Sequence, residues 1–197
     1  MFKYKLTKQN LTTHNGFQWT FNKTETINKS GGELCSDSFF HAYHDPLLAV
    51  FLNPIHANID NPRLFRVKVN GRGKNGHGLK CGYKSMTLVE ELELPVITET
   101  QKIAFGILCA IEVSNDDYFV SWAEKWLDGT DRSIESADSV ASVAYHATKY
   151  STYNVASAAY HAAYHAAYIA ANAADYAADS NPKIDLIALA KKALTYS

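Results

Sequence analysis

Apolar and polar residues alternate with a period of two in several segments of the first hundred residues, and this pattern predicts β-strands with one buried face. In residues 1–7, three apolar side chains alternate with Lys3 and Lys5. The alternation places the two lysines on the solvent face of a half-buried strand. Further extended segments are predicted at residues 17–21, 64–69, 79–83 and 87–94.

Helix-start signals occur between and after these strands. Asp45 precedes Pro46 and can cap a short helix at about residues 46–52. Thr98, with Gln101 three residues later, has the spacing of a capping box. We therefore expect a second helix that begins there and ends near residue 113.

The remainder of the chain has a helical pattern. An aspartate pair at 116–117 caps a helix that stops at Gly129. No glycine or proline interrupts residues 133–179, which as a single helix would be about 70 Å long. A break near residues 150–152 would give a hairpin instead. A last helix is predicted at 183–194.

These elements predict an α+β fold. We expect a small mixed β domain with short helices at residues 1–114. A helical region at residues 115–197 follows, in which a long Ala/Tyr-rich helix at about 133–179 is the main element.

Composition indicates an ordered globular protein, since 47% of the residues are hydrophobic and 20% are charged. The three cysteines, Cys35, Cys81 and Cys109, are too few and too scattered for a disulfide framework, and they favour a reducing compartment. No apolar run has the length of a signal peptide core or a membrane span. We therefore expect a soluble, cytoplasmic protein without a membrane partner.

The net charge of −1 hides a segregation of charge along the chain. Residues 61–89 carry seven basic side chains and no acidic one, whereas residues 90–138 carry twelve acidic and three basic side chains. Either the first block forms a surface that faces an anion, or the two blocks neutralise each other within the fold. The side chains predicted to bind a small anionic ligand or a host protein are Arg63, Arg66, Arg72, Lys74 and His56.

Residues 71–78 form a glycine-dense segment that contains Arg72 and Lys74. Its backbone N–H groups could cradle a phosphate, or it could be a mobile hairpin loop. It lacks the ending of a P-loop. Few aromatic side chains are interleaved with the basic ones, so nucleic acid is not the expected partner.

The segment from residue 156 to 178 contains thirteen alanines in 23 positions. On a helical wheel the tyrosines and the alanines occupy roughly opposite faces, and one domain can cover only one of them. We therefore expect self-association as a homo-oligomer through this helix, with packing on the chain's own domain as the alternative. The residues assigned to the oligomer contact are Tyr160, Ala163, Tyr164, Tyr168 and Ala170.

The spacings of the histidines and cysteines complete no metal-binding or catalytic motif. His161 and His165 have the i,i+4 spacing of a metal pair, but no third ligand follows. Cys35 lies in a histidine-rich segment whose spacings match no usual zinc motif. Cysteine catalysis would need a histidine that the fold brings next to Cys35. We expect no metal site and no cofactor.

Several motifs resemble a family of uncharacterised proteins carried by bacteriophages and mobile elements. They are G-F-Q-W, L-C-S followed by H-A-Y-x-D-P-L-L-A, N-P-I-H-A, R-L-F, E-L-x-L-P and W-A-x-x-W-L-x-G-x-D-R-S, and they extend over roughly residues 4–136. The resemblance implies a role in host takeover or in countering host defence, in the cytoplasm of the host cell.

The order of strands and short helices, with Glu-x-Glu at Glu91 and Glu93, is also similar to the layout of small ADP-ribosyltransferases. This second resemblance implies an enzyme that consumes NAD and uses His41, Tyr43 and Glu93. The sequence departs from that layout, because it has no Ser-Thr-Ser and its Glu-x-Glu comes early.

Three functional hypotheses remain open from the sequence. The first is a phage-encoded binding protein that recognises a host protein or a small signalling molecule. The second is the NAD-consuming transferase, and the third is a structural component of a virion.

Overall fold

The computed structural model describes residues 1–146 and 163–197. The chain divides into two compact units, Met1–Val96 and Ile97–Ser197. The architecture is α+β, as predicted.

The first unit contains two antiparallel sheets. Strands β1 (Phe2–Thr7), β2 (Thr24–Thr26), β4 (Arg63–Asn70) and β7 (Ser85–Leu92) form a four-stranded sheet in the order β1-β4-β7-β2. Strands β3 (Phe40–Ala42), β5 (Lys74–Gly76) and β6 (Lys80–Tyr83) form a three-stranded sheet in the order β3-β6-β5. Two short helices, α1 (Pro46–Phe51) and α2 (Asn53–His56), lie between β3 and β4 in the chain.

Both sheets contribute to one hydrophobic core. Phe65 and Val67 of β4 are buried together with Leu88 of β7, and Phe40 of β3 and Cys81 of β6 belong to the same cluster. The two sheets are also connected through the backbone, because Tyr4 and Tyr43 exchange hydrogen bonds of 3.0 and 2.7 Å.

Strand β1 is present as predicted, with Leu6 buried as expected, but the opposite face, which was expected to be exposed, is buried as well. Lys3 and Lys5 are only 9% and 8% exposed, whereas Phe2 is 52% exposed. The lysines face inward because this side of β1 lies against the histidine-containing segment that begins with β3: their ammonium groups contact His44 and the carbonyl of His41.

The strand predicted at residues 17–21 is absent: Gln18 makes only an isolated bridge to Thr12, and Trp19 is buried in the core. The glycine-dense segment is part of a hairpin, one of the two forms expected for it, because β5 within it pairs with β6. The predicted cap of α1 is confirmed, and the Asp45 carboxylate accepts a hydrogen bond of 2.8 Å from the Leu47 N–H.

The second unit is helical in the part that the structure describes. Its helices are α3 (Glu99–Ile111), α4 (Asp117–Asp128), α5 (Ile134–His146), α6 (Ala163–Ser180) and α7 (Leu186–Ala193). The Thr98–Gln101 capping box of α3 is confirmed, as is the left-handed Gly129 that ends α4 with φ of 82°.

The division by packing differs from the predicted domain boundary. Helix α3 was assigned to the first domain, yet it packs against α6 and α7 and belongs to the second unit. Whether the predicted helix at 133–179 is continuous or a hairpin depends on residues 147–162, which lie outside the described residues. None of the described helices is long and apolar enough to cross a membrane.

Candidate functional site

The first unit contains a cavity of about 600 Å³, within the usual range for small-molecule sites of about 300–1,000 Å³. Strands β1 and β3, helix α2, strand β6, the turn at His14–Gly16 and the segment before β3 all contribute to its lining. Its lining includes Lys5, Phe17, His41, Tyr43, His56 and Lys80.

Aromatic side chains form one wall of the cavity. Phe17, Phe39 and Phe40 line it, and the Phe17 ring lies 5.0 Å from both Phe40 and Trp19 in edge-on geometry. Such edge-on packing holds the rings in fixed positions. The wall therefore offers a preformed apolar surface.

Lys5 of β1 lines the cavity and carries a buried amine. Its Nζ donates a hydrogen bond of 2.8 Å to the carbonyl oxygen of His41 and lies 5.0 Å from the centre of the Trp19 ring. Burial lowers the pKa of Lys5 from 10.5 to about 8, and the nearby Cys81 opposes this shift only in part.

His41 is half-buried at the cavity, and its orientation is determined by the backbone. Its Nε2 donates to the carbonyl oxygen of Leu34, so Nδ1 is the unprotonated nitrogen of the neutral ring. Burial lowers the pKa of His41, and the positive charge of Lys5 adds to this effect. The ring is therefore neutral near pH 7.

Tyr43 and His56 form a stacked pair in the lining, with ring centres 5.9 Å apart and an interplanar angle of 28°. Burial raises the pKa of Tyr43, so its hydroxyl keeps its proton. Burial, with Lys80 and His41 nearby, lowers the pKa of His56 to about 3. His56 is thus an uncharged ring, and its buried Nδ1 has no hydrogen-bond partner among the described residues.

The wall loop (residues 27–39) closes another side of the cavity and is held in place by a lysine. The Lys84 ammonium donates to the carbonyl oxygens of Lys29, Gly31 and Ser38 at 2.8, 3.1 and 2.7 Å, and it lies 4.1 Å from the centre of the Phe39 ring. The Lys84 side chain thereby links three backbone positions of the wall loop.

Glycines in β5 and β6 allow the wall loop to pack closely against these strands. A Cβ atom at Gly76 or at Gly82 would lie 2.7 Å from the side chain of Leu34, which is closer than packed carbons approach. The glycines of this segment therefore make room for the wall loop. Lys74, which was predicted to bind a ligand, donates to the carbonyl oxygen of Gly32 at 2.8 Å.

The cysteines give no sign of nucleophilic catalysis. Cys81 donates to the carbonyl oxygen of Ala42 at 3.3 Å, and burial raises its pKa to about 11. Cys35 is exposed and lines the cavity, but in the described part of the chain no hydrogen bond joins it to a histidine. A search of the described residues finds no group of three or more His, Cys, Asp or Glu side chains that could hold a metal ion.

None of the three predicted arginines lines the cavity, and Arg63 and Arg66 are paired with acids. Arg63 makes hydrogen bonds of 2.7 and 2.6 Å to the two carboxylate oxygens of Glu91 on the neighbouring strand, and Arg66 pairs with Glu90. The basic and acidic blocks of the sequence therefore meet across β4 and β7, at least at these two positions. Arg72 is exposed and lies outside the lining.

Of the three predicted catalytic residues, the structure brings two together. His41 and Tyr43 both line the cavity, whereas Glu93 is exposed beyond the end of β7 and does not line it. His56, predicted as a ligand-binding residue, is part of the lining.

The residues assigned to self-association are described only in part. Ala170 is 1% exposed and is buried within the chain's own helical unit, so it is not free to contact a second copy. Tyr168 is 47% exposed. Tyr160 lies outside the described residues, and Ala163 and Tyr164 are described only as members of α6.

Sequence reasoning missed Lys5, Lys80 and Phe17 as site residues. Lys5 was placed on the solvent face of its strand, and Lys80 was counted only as one member of the basic block. The G-F-Q-W motif was the one signal that pointed to Phe17. The three residues meet only in the folded unit, so no local spacing connects them.

The chain matches a known protein family over its first half. A protein-family model described as "Domain of unknown function (DUF7666)" matches residues 1–100. No curated protein and no solved structure matches the chain. The matched range includes every residue that lines the cavity.

Proposed function

We propose that this chain, which belongs to the family defined by the domain of unknown function DUF7666, binds a small anionic molecule with a planar apolar part in the cavity of its first unit. The observation that carries the proposal is the lining itself. It combines an aromatic wall with lysine and histidine side chains in one space of about 600 Å³.

The charges of the lining favour an anion. Lys5 and Lys80 are its basic side chains, and within the described part of the chain Lys80 has no ion-pair partner. The acidic side chain in the lining is Asp37, and Lys29 neutralises it. An anionic group would give Lys80 the partner that it lacks, in a site partly shielded from water.

The uncharged rings favour hydrogen bonding to the polar part of the ligand. His41 and His56 are neutral near pH 7 because burial lowers the pKa of each. A neutral imidazole can donate from one nitrogen and accept at the other, and it imposes no charge of its own. The aromatic wall supplies a flat surface on which a planar group can stack.

The cavity supports binding better than ADP-ribosyl transfer. The transferase hypothesis uses His41, Tyr43 and Glu93 together, but Glu93 lies outside the lining. We therefore expect that incubation with NAD and host lysate gives no ADP-ribosylated product. Product formation that is lost in Glu93→Gln would restore the transferase hypothesis.

The biological setting that we propose comes from the motif resemblance. A protein carried by a phage or mobile element could use such a cavity to bind a small signalling molecule of its host. The Ala/Tyr-rich helical region would supply self-association, and its exposed Tyr168 is the described residue that supports this role.

A matched pair of fluorescent probes tests the proposal. The first probe, 8-anilinonaphthalene-1-sulfonate, carries an aromatic system and one negative charge, and the second, N-phenyl-1-naphthylamine, has the same aromatic system without the sulfonate. We expect the sulfonate to bind the native protein saturably at one site per chain, and more tightly than the neutral probe. Equal affinity for both probes would contradict the anionic part of the proposal.

Two lysine variants locate the binding site. Lys80→Gln should weaken sulfonate binding by about fivefold to tenfold, the effect of losing roughly 1 kcal/mol of charge interaction. It should leave binding of the neutral probe nearly unchanged. Lys68→Gln is the control, because Lys68 is an exposed lysine of β4 outside the cavity. Equal losses of sulfonate affinity in Lys80→Gln and Lys68→Gln would show that the anion binds outside the cavity.

A further inference from the structure

Lys5 has unusual surroundings for a lysine. It is 8% exposed, and its amine contacts a carbonyl oxygen and an aromatic ring but no carboxylate among the described residues. Burying an ammonium group without an acidic partner costs free energy. A core position of this kind is normally filled by an apolar side chain.

Lys3, two residues earlier on the same face of β1, provides an internal comparison. Lys3 is also buried, at 9% exposure, but its ammonium donates a 2.6 Å hydrogen bond to His44 Nδ1, and His44 in turn donates to Asn75. Lys3 does not line the cavity, whereas Lys5 does. Both lysines are therefore buried, but of the two only Lys5 lines the cavity.

We propose that the Lys5 amine is a covalent capture site that forms an imine with an aldehyde or ketone group of the ligand. This inference rests on the proposed function and narrows it, because it names the chemical class of the ligand: a planar, anionic carbonyl compound. Lys5 also lies in a cavity large enough for such a molecule.

The reaction balances without an oxidant or a reductant. The Lys5 nitrogen lone pair attacks the carbonyl carbon, and the carbonyl π electrons move to oxygen. A proton passes from nitrogen to that oxygen to give a carbinolamine. A proton from solvent converts the hydroxyl to water, which leaves with the electrons of the C–O bond, and the nitrogen lone pair forms the C=N bond of a protonated imine that keeps one N–H.

The surroundings of Lys5 suit each step. Its lowered pKa of about 8 leaves a substantial fraction of the amine unprotonated near neutral pH, as nucleophilic attack requires. One N–H can stay bonded to the carbonyl oxygen of His41. Tyr43 lines the same cavity with a hydroxyl that keeps its proton, so it can donate a hydrogen bond to the carbonyl oxygen.

Reductive trapping tests the proposal with 4-carboxybenzaldehyde, a planar aromatic aldehyde with one negative charge. The full chain is incubated with this probe near pH 7.5, reduced with borohydride and mapped by peptide mass spectrometry. We expect Lys5 to be modified at least about tenfold faster than Lys3 or the exposed Lys68, in line with the larger unprotonated fraction of a desolvated amine. Terephthalate, which has no aldehyde, should protect Lys5 by competition.

Variants separate covalent capture from simple binding. Lys5→Met should lose the adduct, and protection of the buried Cys81 thiol from alkylation checks that this variant is folded. Lys3→Met should keep the adduct. Modification of Lys5 at the same rate as the exposed lysines, or equal labelling of Lys3 and Lys5, would overturn the inference.

The two proposals fail in different ways. If the anilinonaphthalene sulfonate binds in the cavity but borohydride traps no Lys5 adduct, covalent capture is wrong and the binding function stands. If neither probe enters the cavity, the proposed function itself is wrong.

Discussion

Replacing Lys5 by methionine should stabilise the first unit at neutral pH. The pKa of Lys5 falls from 10.5 to about 8 on folding, so below pH 8 the folded unit carries a charge that burial penalises. A shift of this size corresponds to about 3 kcal/mol of lost stability at pH 7. Methionine fills similar space without charge, but it leaves the His41 carbonyl oxygen without its donor, at a cost of about 1 kcal/mol. We therefore expect a net gain of about 2 kcal/mol.

The pH dependence of this gain identifies its cause. Between pH 8 and pH 10.5 the unfolded chain binds a proton at Lys5 that the folded unit has released, so the stability of the unmodified protein rises with pH. At pH 10 the remaining penalty is below about 1 kcal/mol. The advantage of the Lys5→Met variant should therefore nearly disappear at that pH.

The chain's own cysteines provide an assay for each unit. Cys81 is buried in the first unit and Cys109 in the second, so pulse alkylation across a urea titration reports the unfolding of the two units separately. The alkylated fraction of the Cys81 peptide and that of the Cys109 peptide are each normalised to the fraction in fully unfolded protein at the same pH. We expect the Cys81 transition to move to higher urea in Lys5→Met at pH 7, whereas the Cys109 transition stays in place.

An exposed lysine gives the control for this experiment. Lys68→Met removes a lysine of β4 that is exposed, so it should shift neither transition by more than about 0.5 kcal/mol. The reasoning would be refuted if Lys5→Met destabilised the first unit at pH 7, or if its gain were the same at pH 7 and pH 10.

Three further predictions concern other parts of the molecule. Lys84→Met should destabilise the first unit by about 2 kcal/mol and weaken sulfonate-probe binding, because three carbonyl oxygens of the wall loop lose their shared donor; an unchanged Cys81 transition and probe affinity would contradict this role. Thr98→Ala should destabilise the second unit by about 1 kcal/mol through loss of the capping box, and the Cys109 transition should move to lower urea. An unchanged transition would show that packing alone holds the start of α3. If the tail helix mediates self-association, light scattering at micromolar concentrations should show an oligomer that Tyr168→Arg dissociates, and a monomer mass for the unmodified protein would contradict that hypothesis.

Local signals predicted local structure well. Helix ends depend on a few neighbouring residues, so Asp45, the Thr98–Gln101 pair and Gly129 could each be assigned from the sequence. Strands β1, β4, β6 and β7 also follow from local alternation, whereas the three-residue strands β2, β3 and β5 were not predicted. The predicted strand at residues 17–21 is absent: Trp19 is buried there, with its Nε1 donating to Thr13 Oγ1 at 3.0 Å, and the segment does not extend a sheet.

Which face of a strand is buried depends on distant parts of the chain. The alternation in β1 shows two faces but does not say which one the rest of the fold covers. The segment around β3, more than thirty residues later, covers the lysine face and supplies the partners of Lys3 and Lys5. A hydrophobicity rule therefore places Leu6 correctly inside but places Lys3 and Lys5 wrongly in solvent, and so it misses the buried amine of Lys5.

The site could be predicted only in part for the same reason. His41, Tyr43 and His56 lie within one histidine-rich segment, and their proximity in sequence carries over to the cavity. The basic segment at residues 61–89 misled the prediction of an anion-binding surface. Arg63 and Arg66 are neutralised by Glu91 and Glu90, which follow this segment in the sequence but lie on the adjacent strand β7. Charge counted along the chain does not show this pairing across strands.

We propose that the cavity, and not the arginines of β4, receives the anionic ligand. A titration of ¹⁵N-labelled protein with 8-anilinonaphthalene-1-sulfonate, followed through the backbone amide shifts, tests this directly. We expect saturable shifts that are largest at Phe40, His41 and Ala57 in the lining. Shifts centred on Arg63 and Arg66, with the lining residues unchanged, would contradict it.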